Sequence, residues 1–158
     1  MKKKQKTNAL RILESADIKY RVISYDVDES ALDAASVAQS AGLPHDRVYK
    51  TIIARGDRTG IVVFCVQGNR EIDLKKAAHA SGNKKVELIH LKELQPLTGY
   101  IRGGCSPVGM KKQYPAYIDI SAKNFMTIFV SAGARGMQME LAPVDLAEAA
   151  GAVFAEIS

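Results

Sequence analysis

An α/β (α+β) domain built on a curved, mixed β-sheet is the fold class that the sequence predicts, and three observations carry the prediction. The chain has 158 residues, the length of one domain. Hydrophobic residues make up 47% and charged residues 25%. These are ordinary globular values, and a chain of this length can bury roughly 70% of the surface its unfolded form exposes. Short helical and strand patterns alternate throughout, with no internal repeat and no low-complexity linker.

Asn8 to about Ala16 places Leu10, Ile12, Leu13 and Ala16 at mostly helical spacing, with Thr7 or Asn8 as N-cap. YRVISYDV (20–27) reads as a strand, and a helix from about Asp33 to Ala41 stops at Gly42. A strand begins at Val48, GDRTG (56–60) is a hairpin turn, and IVVFCV is its buried partner. IDLKKAAHASG is a helix capped by Asp73 and closed by Gly82. It carries Lys75 and Lys76 in its first turns, where the helix dipole disfavours cations. KKVELI follows as a strand, then a short helical HLKELQ. Thr98 to Lys112, TGYIRGGCSPVGMKK, has no clear period and is the longest predicted loop. AYIDIS and MTIFVS read as strands, AGARG as a tight turn, and MQMEL as a strand with Met137, Met139 and Leu141 on one core-facing side. Pro143 opens a last helix, and AVFAEI is the last strand.

The formal charge of +5 is unevenly placed. Residues 1–7 read as a basic flexible tail carrying Lys2, Lys3, Lys4 and Lys6. This start resembles the basic front of a signal peptide, but Thr7, Asn8 and Arg11 interrupt any apolar stretch, so a cytoplasmic protein without membrane contact is expected. From Arg47 to Lys112 there are 13 basic and 5 acidic residues, a net of +8, while the rest of the body is −7. Such asymmetry predicts a face suited to a polyanion, whose phosphates Lys and Arg neutralise with release of counterions. Scattered, solvated lysines are the alternative reading.

Several chemistries are excluded. The two cysteines form no CxxC pair and predict no structural disulfide. His45, His79 and His90 are not at metal-ligand spacing, so no metal or other cofactor is expected. GCSPVGMK (104–111) nearly matches a phosphate-binding P-loop, but Met110 stands at the required lysine and Lys111 follows in place of Ser or Thr. Three candidates remain. Gly103 and Gly104 let backbone amides approach a ligand closely, as an oxyanion hole requires. Lys50 sits among apolar residues at the start of a strand, where it is either aimed at an anion or snorkels to solvent. Ser131 precedes AGARG, where its hydroxyl either binds a ligand or caps the turn.

Taken together, VYKTI (48–52), LKKAA (74–78), KKVE (84–87), TGYIRGGCSPVGMKK (98–112) and FVSAGARG (129–136) closely resemble the YbaK-type aminoacyl-tRNA deacylases, relatives of the editing domain inserted in bacterial prolyl-tRNA synthetases. The motifs stand in family order along nearly the whole chain. The resemblance implies a single editing domain over 1–158 with a barrel-like sheet flanked by helices. It also implies release of a wrong amino acid from tRNA, most characteristically cysteine from tRNA(Pro), with Cys-tRNA(Cys) as a further substrate. Carried over by position, Lys50 is the functional lysine, Gly103 the backbone contact to the aminoacyl carbonyl and Ser131 the site serine. Tyr25, Gly104, Arg135 and Gln138 fall to the substrate side. Gln138 stands where the family often has aspartate, which removes an electrostatic contact to the substrate amine.

No Cys-His or Ser-His pair is evident in these motifs, so the nucleophile can come from the substrate. In the family-type mechanism the cysteine thiol attacks its own ester and leaves as a thiolactone. The implied partners are the 3′ end of aminoacylated tRNA and prolyl-tRNA synthetase. Three alternatives stay open: a deacylase for another small amino acid, a thioesterase or amidase with Cys105 as nucleophile, and a non-catalytic module that binds tRNA or a synthetase.

Overall fold

The computed structural model of the protein describes residues 6–158. Its helices lie where their caps place them. α1 (Asn8–Ser15) starts at Thr7, whose hydroxyl accepts the Leu10 N–H and donates to the Ala132 carbonyl. Residues 1–5 of the expected tail lie outside the described residues. Lys6 pairs with Glu14 at 2.7 Å, and Thr7 is tied into the fold. α2 (Ala34–Ala41) is capped by Asp33, and α3 (Leu74–Ser81) by Asp73, whose carboxylate accepts the N–H groups of both Lys75 and Lys76. Gly42 and Gly82 end these two helices in the left-handed conformation that glycine adopts without Cβ strain. Lys76, which faces the unfavourable dipole, is compensated by Glu156 at 2.9 Å. α4 (Leu94–Thr98) and α5 (Pro143–Ala150) complete the set.

The strands are β1 (Arg21–Ser24), β2 (Tyr49–Gly56), β3 (Gly60–Gln67), β4 (Val86–Leu88), β5 (Ala116–Asp119), β6 (Ile128–Ala134), β7 (Met137–Leu141) and β8 (Ala152–Ala155). They form two sheets, a three-stranded antiparallel β1-β7-β6 and a five-stranded β4-β2-β3-β5-β8. The second is mixed, since β3, β5 and β8 run parallel while β4, β2 and β3 alternate. The sheet is therefore not closed as the barrel-like expectation has it. Among the described residues an isolated bridge, Val48 with Phe129, links the two sheets, and the Val48 carbonyl accepts the Gly68 N–H at 2.6 Å, one step beyond the β2–β3 ladder. No ladder continues across that seam.

Two further elements depart from the sequence reading. AYIDIS ends as a strand at Asp119 and tightens into a 3₁₀ turn at Ile120–Asn124, because the Asp119 side chain accepts the Ser121 N–H. AGARG is not wholly a turn: β6 runs through Ala134, and the register shift between Ser131 and Ala134 marks a β-bulge. Ser131 thus lies inside a strand.

Apolar side chains fill both sides of this frame. Leu10 and Leu13 of α1, Met139 and Leu141 of β7 and Leu146 of α5 form one cluster. Val62, Phe64 and Val66 of β3 meet Ala77 of α3 and Ile157 in another, with Phe64 stacked on Tyr117 at 5.8 Å. The alternation along β3 sends its side chains into more than one cluster, which is why IVVFCV reads as a continuous apolar run.

Asp119 fastens the last strand to this core. It is 3% exposed, and its carboxylate accepts the Ile157 N–H at 3.0 Å, the Ser158 hydroxyl at 3.1 Å and the Ser121 N–H at 3.1 Å. Burial acts to raise its pKa, but the bonds from Ser121, Ile157 and Ser158 outweigh burial and hold it below the ordinary carboxylate value. Asp119→Ala is expected to lower stability by about 2–4 kcal/mol in urea titrations at pH 7. A depressed folded-state pKa stabilises above the unfolded value of about 3.9, so the gap between wild type and variant should narrow as pH falls below about 4. A gap that persists unchanged at lower pH would contradict this account.

Candidate active site

A cleft of about 440 Å³ opens at the seam between the sheets. Its walls come from the start of β2, the Gly68–Glu71 turn, the start of α2, the loop after α4 and the facing strands β6 and β7. Lys50, Gly103, Ser131 and Gln138 all line it. The antiparallel register of β6 and β7 places Ser131 directly opposite Gln138. The volume lies in the range of sites that hold small organic ligands.

Lys50 stands on β2 opposite Val66, with its side chain 26% exposed. The carboxylate of Glu71 is 3.8 Å from its ammonium group and is itself almost fully exposed, a pair that contributes little. The ammonium is therefore free to exchange this partner for a ligand anion or hydroxyl. Ser131 is buried, and its hydroxyl accepts the Gly133 N–H at 3.1 Å, which leaves its proton to offer to another group. Gln138 is 5% exposed, and its Oε1 has no hydrogen-bond partner among the described residues. An acceptor buried without a partner costs free energy unless a ligand supplies the donor.

The loop carrying Gly103 has no regular structure, but it is tied at many points. Tyr100 is buried, donates its hydroxyl to the Val108 carbonyl at 2.6 Å, and presses its ring against Gly133, where a Cβ would sit 3.1 Å from it. The Gly104 N–H bonds the Ile101 carbonyl at 2.9 Å, and Lys111 N–H bonds the Thr98 carbonyl at 3.0 Å. Gly103 itself has a φ of +83°. Its N–H donates to no group among the described residues. Leu32 covers its Cα side, so closely that a Cβ would lie 2.9 Å from the leucine Cδ2.

Three residues expected on the substrate side lie elsewhere. Gly104 is packed against the Ala134–Arg135 backbone, and its amide is spent within the loop. Arg135 donates from Nε to the Arg102 carbonyl at 2.8 Å, so it braces the Gly103 loop from behind, with Glu29 3.8 Å from its guanidinium. Tyr25 donates its backbone N–H to the Gly136 carbonyl at 3.0 Å and does not line the cleft. The sequence reading also missed lining residues: Leu32, Thr51, Gly68 and Asn69. Gly68 was detectable, because a QGN turn closes a buried strand there and a Cβ would come within 2.6 Å of Ala34.

Cys105 also faces the cleft, but burial pushes its thiol up to about 12, with a hydrogen bond to Thr98 only partly opposing this. At neutral pH it holds almost no thiolate. None of the three histidines lines the cleft to deprotonate it. Cys105→Ser is expected to retain turnover within about threefold. A loss of more than about 100-fold would restore Cys105 as nucleophile.

The basic segment is partly neutralised. Arg47 donates to the Thr127 carbonyl, pairs with Glu140 at 3.1 Å and stacks over Phe129, while Arg55, Lys76 and Lys85 pair with Glu93, Glu156 and Glu87. The +8 of the sequence thus overstates the field available to a polyanion.

An open two-sheet domain with an amine, an unengaged loop amide and a buried amide acceptor in the cleft at its seam has the build of an aminoacyl-tRNA editing domain. The chain belongs to that family: its sequence model, Aminoacyl-tRNA editing domain, matches residues 28–149. Over 157 residues, 99% of this chain and 96% of the relative, it is 51% identical to "Putative Cys-tRNA(Pro)/Cys-tRNA(Cys) deacylase EbsC" of Enterococcus faecalis. It is 26% identical over 109 residues to the Proline--tRNA ligase of Lactobacillus gasseri, a match that takes in 69% of this chain and 19% of the ligase. A crystal structure of "a putative trans-editing enzyme for prolyl tRNA synthetase" has the same fold, with a TM-score of 0.80, 26% identity and 98% of both chains covered. Among the described residues no helix is long and apolar enough to cross a membrane.

Proposed function

We propose that the protein is a trans-editing deacylase that removes cysteine from mischarged tRNA(Pro), and also acts on Cys-tRNA(Cys). The observation that carries this reading is the unengaged Gly103 amide in the same cleft as the Lys50 ammonium. One is suited to a developing oxyanion and the other to an oxygen of the terminal ribose or phosphate. The name of the Enterococcus relative supports the substrate.

In this mechanism the substrate thiol adds to its own ester carbonyl while the Gly103 N–H receives the oxyanion. The carbon–oxygen bond to the ribose then breaks, the ribose oxygen takes up the proton that the thiol gave, and cysteine leaves as a thiolactone. No water is consumed, so the step is formally a lyase reaction. Ser131 and the Gln138 amide, opposite one another, hold the amino-acid end. Gln138 does so as a neutral acceptor, where a carboxylate would add charge. The reading places the protein in the cytoplasm beside its tRNA substrates. Because the match to proline–tRNA ligase covers only a minor part of that enzyme, an editing unit acting alongside prolyl-tRNA synthetase is the expected partnership.

A panel of tRNAs charged with cysteine, S-methylcysteine, alanine, serine and proline tests the reading. Release of cysteine as its thiolactone, with S-methylcysteine retained, is the expected result. No release of any amino acid, with binding preserved, would leave a non-catalytic tRNA-binding module. Preferred release of alanine or serine would make the protein a deacylase for another small amino acid.

A further inference from the structure

A thiolactone formed in the cleft is still an activated acyl compound, and an amine that meets it becomes an amide. The nucleophiles that line the cleft differ sharply in their capacity to do so. Burial pushes the Cys105 thiol up to about 12, so it is not ionised at neutral pH. Tyr49 is pushed up to about 12 as well, and its hydroxyl shares a hydrogen bond with Ser121 at 2.8 Å. The hydroxyls of Ser131 and Thr51 have no histidine in the lining to activate them. Asp33 and Glu71 are carboxylates, whose attack yields an anhydride that water reopens. Lys50 is the one amine among the described residues of the lining. Its restraint is weak, because Glu71 is 3.8 Å away and almost fully exposed. By contrast, Lys76 and Lys85 are 2.9 Å from Glu156 and Glu87, and those bonds raise their pKa values and keep their nitrogens protonated.

We propose that Lys50 is a self-acylation site, cysteinylated on Nζ by the thiolactone that the cleft produces. The proposal rests on the deacylase reading. Once the ribose departs, the ammonium loses the oxygen it held, while the thiolactone carbonyl still lies at the Gly103 amide. Water takes one proton from the ammonium, the Nζ lone pair adds to the carbonyl, and the Gly103 N–H receives the oxyanion as it did for the ester. The carbon–sulfur bond then breaks, and the departing thiolate takes a proton from the nitrogen. Lys50 is left as a neutral amide bearing a cysteinyl group with a free thiol and a free amine, and neither oxidant nor reductant enters. The amide removes the cation from a cleft of about 440 Å³ and leaves an amino acid in its place, so each acylation silences one molecule of enzyme. Proximity favours Lys50 over lysines that meet the thiolactone only after it has diffused away.

Two measurements test this. The first needs no tRNA: the protein is treated with the larger-ring homologue homocysteine thiolactone, and acylation of each lysine is followed by peptide mass spectrometry. Lys50 is expected to react about tenfold faster than Lys75, which is exposed on α3 outside the cleft. Gly103→Ala should abolish that advantage, whereas Gly82→Ala, with similar backbone strain outside the cleft, should retain it. Equal rates at Lys50 and Lys75 would overturn the acylation site, as would an advantage that survives Gly103→Ala. The second measurement follows Lys50 during turnover of Cys-tRNA(Pro). A cysteinyl adduct that resists dithiothreitol, and is therefore no disulfide, should accumulate on Lys50 as turnovers proceed. Release of thiolactone over many turnovers with Lys50 unmodified would overturn the proposal and leave the deacylase reading standing. Absence of any cysteine release would instead sink that reading.

Discussion

Lys50→Ala is expected to lower kcat/KM for release of cysteine from Cys-tRNA(Pro) by about 100-fold or more, equivalent to about 2.7 kcal/mol of transition-state stabilisation. The fold should scarcely register the change. The side chain is one-quarter exposed, its backbone stays in the β2–β3 ladder, and its ion pair with Glu71 is long and solvated. Melting temperature should therefore shift by no more than a few degrees. The division between constants is informative. If the ammonium holds ribose or phosphate oxygens more strongly as the ester opens, kcat falls with kcat/KM; if it only binds the tRNA end, KM alone rises. Full activity in the variant would remove Lys50 from the mechanism.

Gly103→Ala should be nearly as damaging to activity, and for a different reason. At φ +83° an alanine is strained by about 1–2 kcal/mol, and its Cβ would lie 2.9 Å from the Leu32 Cδ2 and 3.3 Å from its Cβ. Relief requires the loop or Leu32 to shift, and either shift carries the 103 amide away from the carbonyl it serves. Loss of one oxyanion donor corresponds to about a 100-fold fall in kcat. Gly82→Ala is the control. It has φ +76° with nothing within 4 Å, so it carries similar backbone strain at the end of α3, far from the cleft. That variant should lose comparable stability and keep its activity. Equal losses of activity in both would mean that Gly103 matters through stability alone.

Local chemistry made much of the fold legible in the sequence. Thr7, Asp33 and Asp73 announce helix starts because their side chains satisfy orphan N–H groups, and Gly42 and Gly82 announce ends because only glycine is unstrained there. The β2–β3 hairpin is legible for the same reason, being closed by a short turn. Pairing between distant segments was not. Nothing near Ala116 says that it lies parallel to both Val63 and Ala152, and nothing near Val48 says that it meets Phe129 in an isolated bridge rather than a continuous ladder. The site divides the same way. Motifs singled out Lys50, Gly103, Ser131 and Gln138, which the seam brings together. They also singled out Gly104 and Arg135, which do not line the cleft and bond instead to the Ile101 and Arg102 carbonyls of the Gly103 loop, a placement that depends on which way each amide and guanidinium points.

The parallel order β3-β5-β8 also bears on how the protein reaches its native state. The β2–β3 hairpin needs only a short loop to close, whereas the β3–β5 and β5–β8 ladders must draw together segments separated by whole helices. Loop-closure entropy therefore delays those ladders until the hairpin offers them an edge. Lys50 belongs to the early hairpin and Gly103 to the long crossover between β3 and β5. A folding intermediate with the hairpin formed would hold the amine in place but lack the amide opposite it, so refolding monitored by secondary structure should run ahead of the recovery of activity.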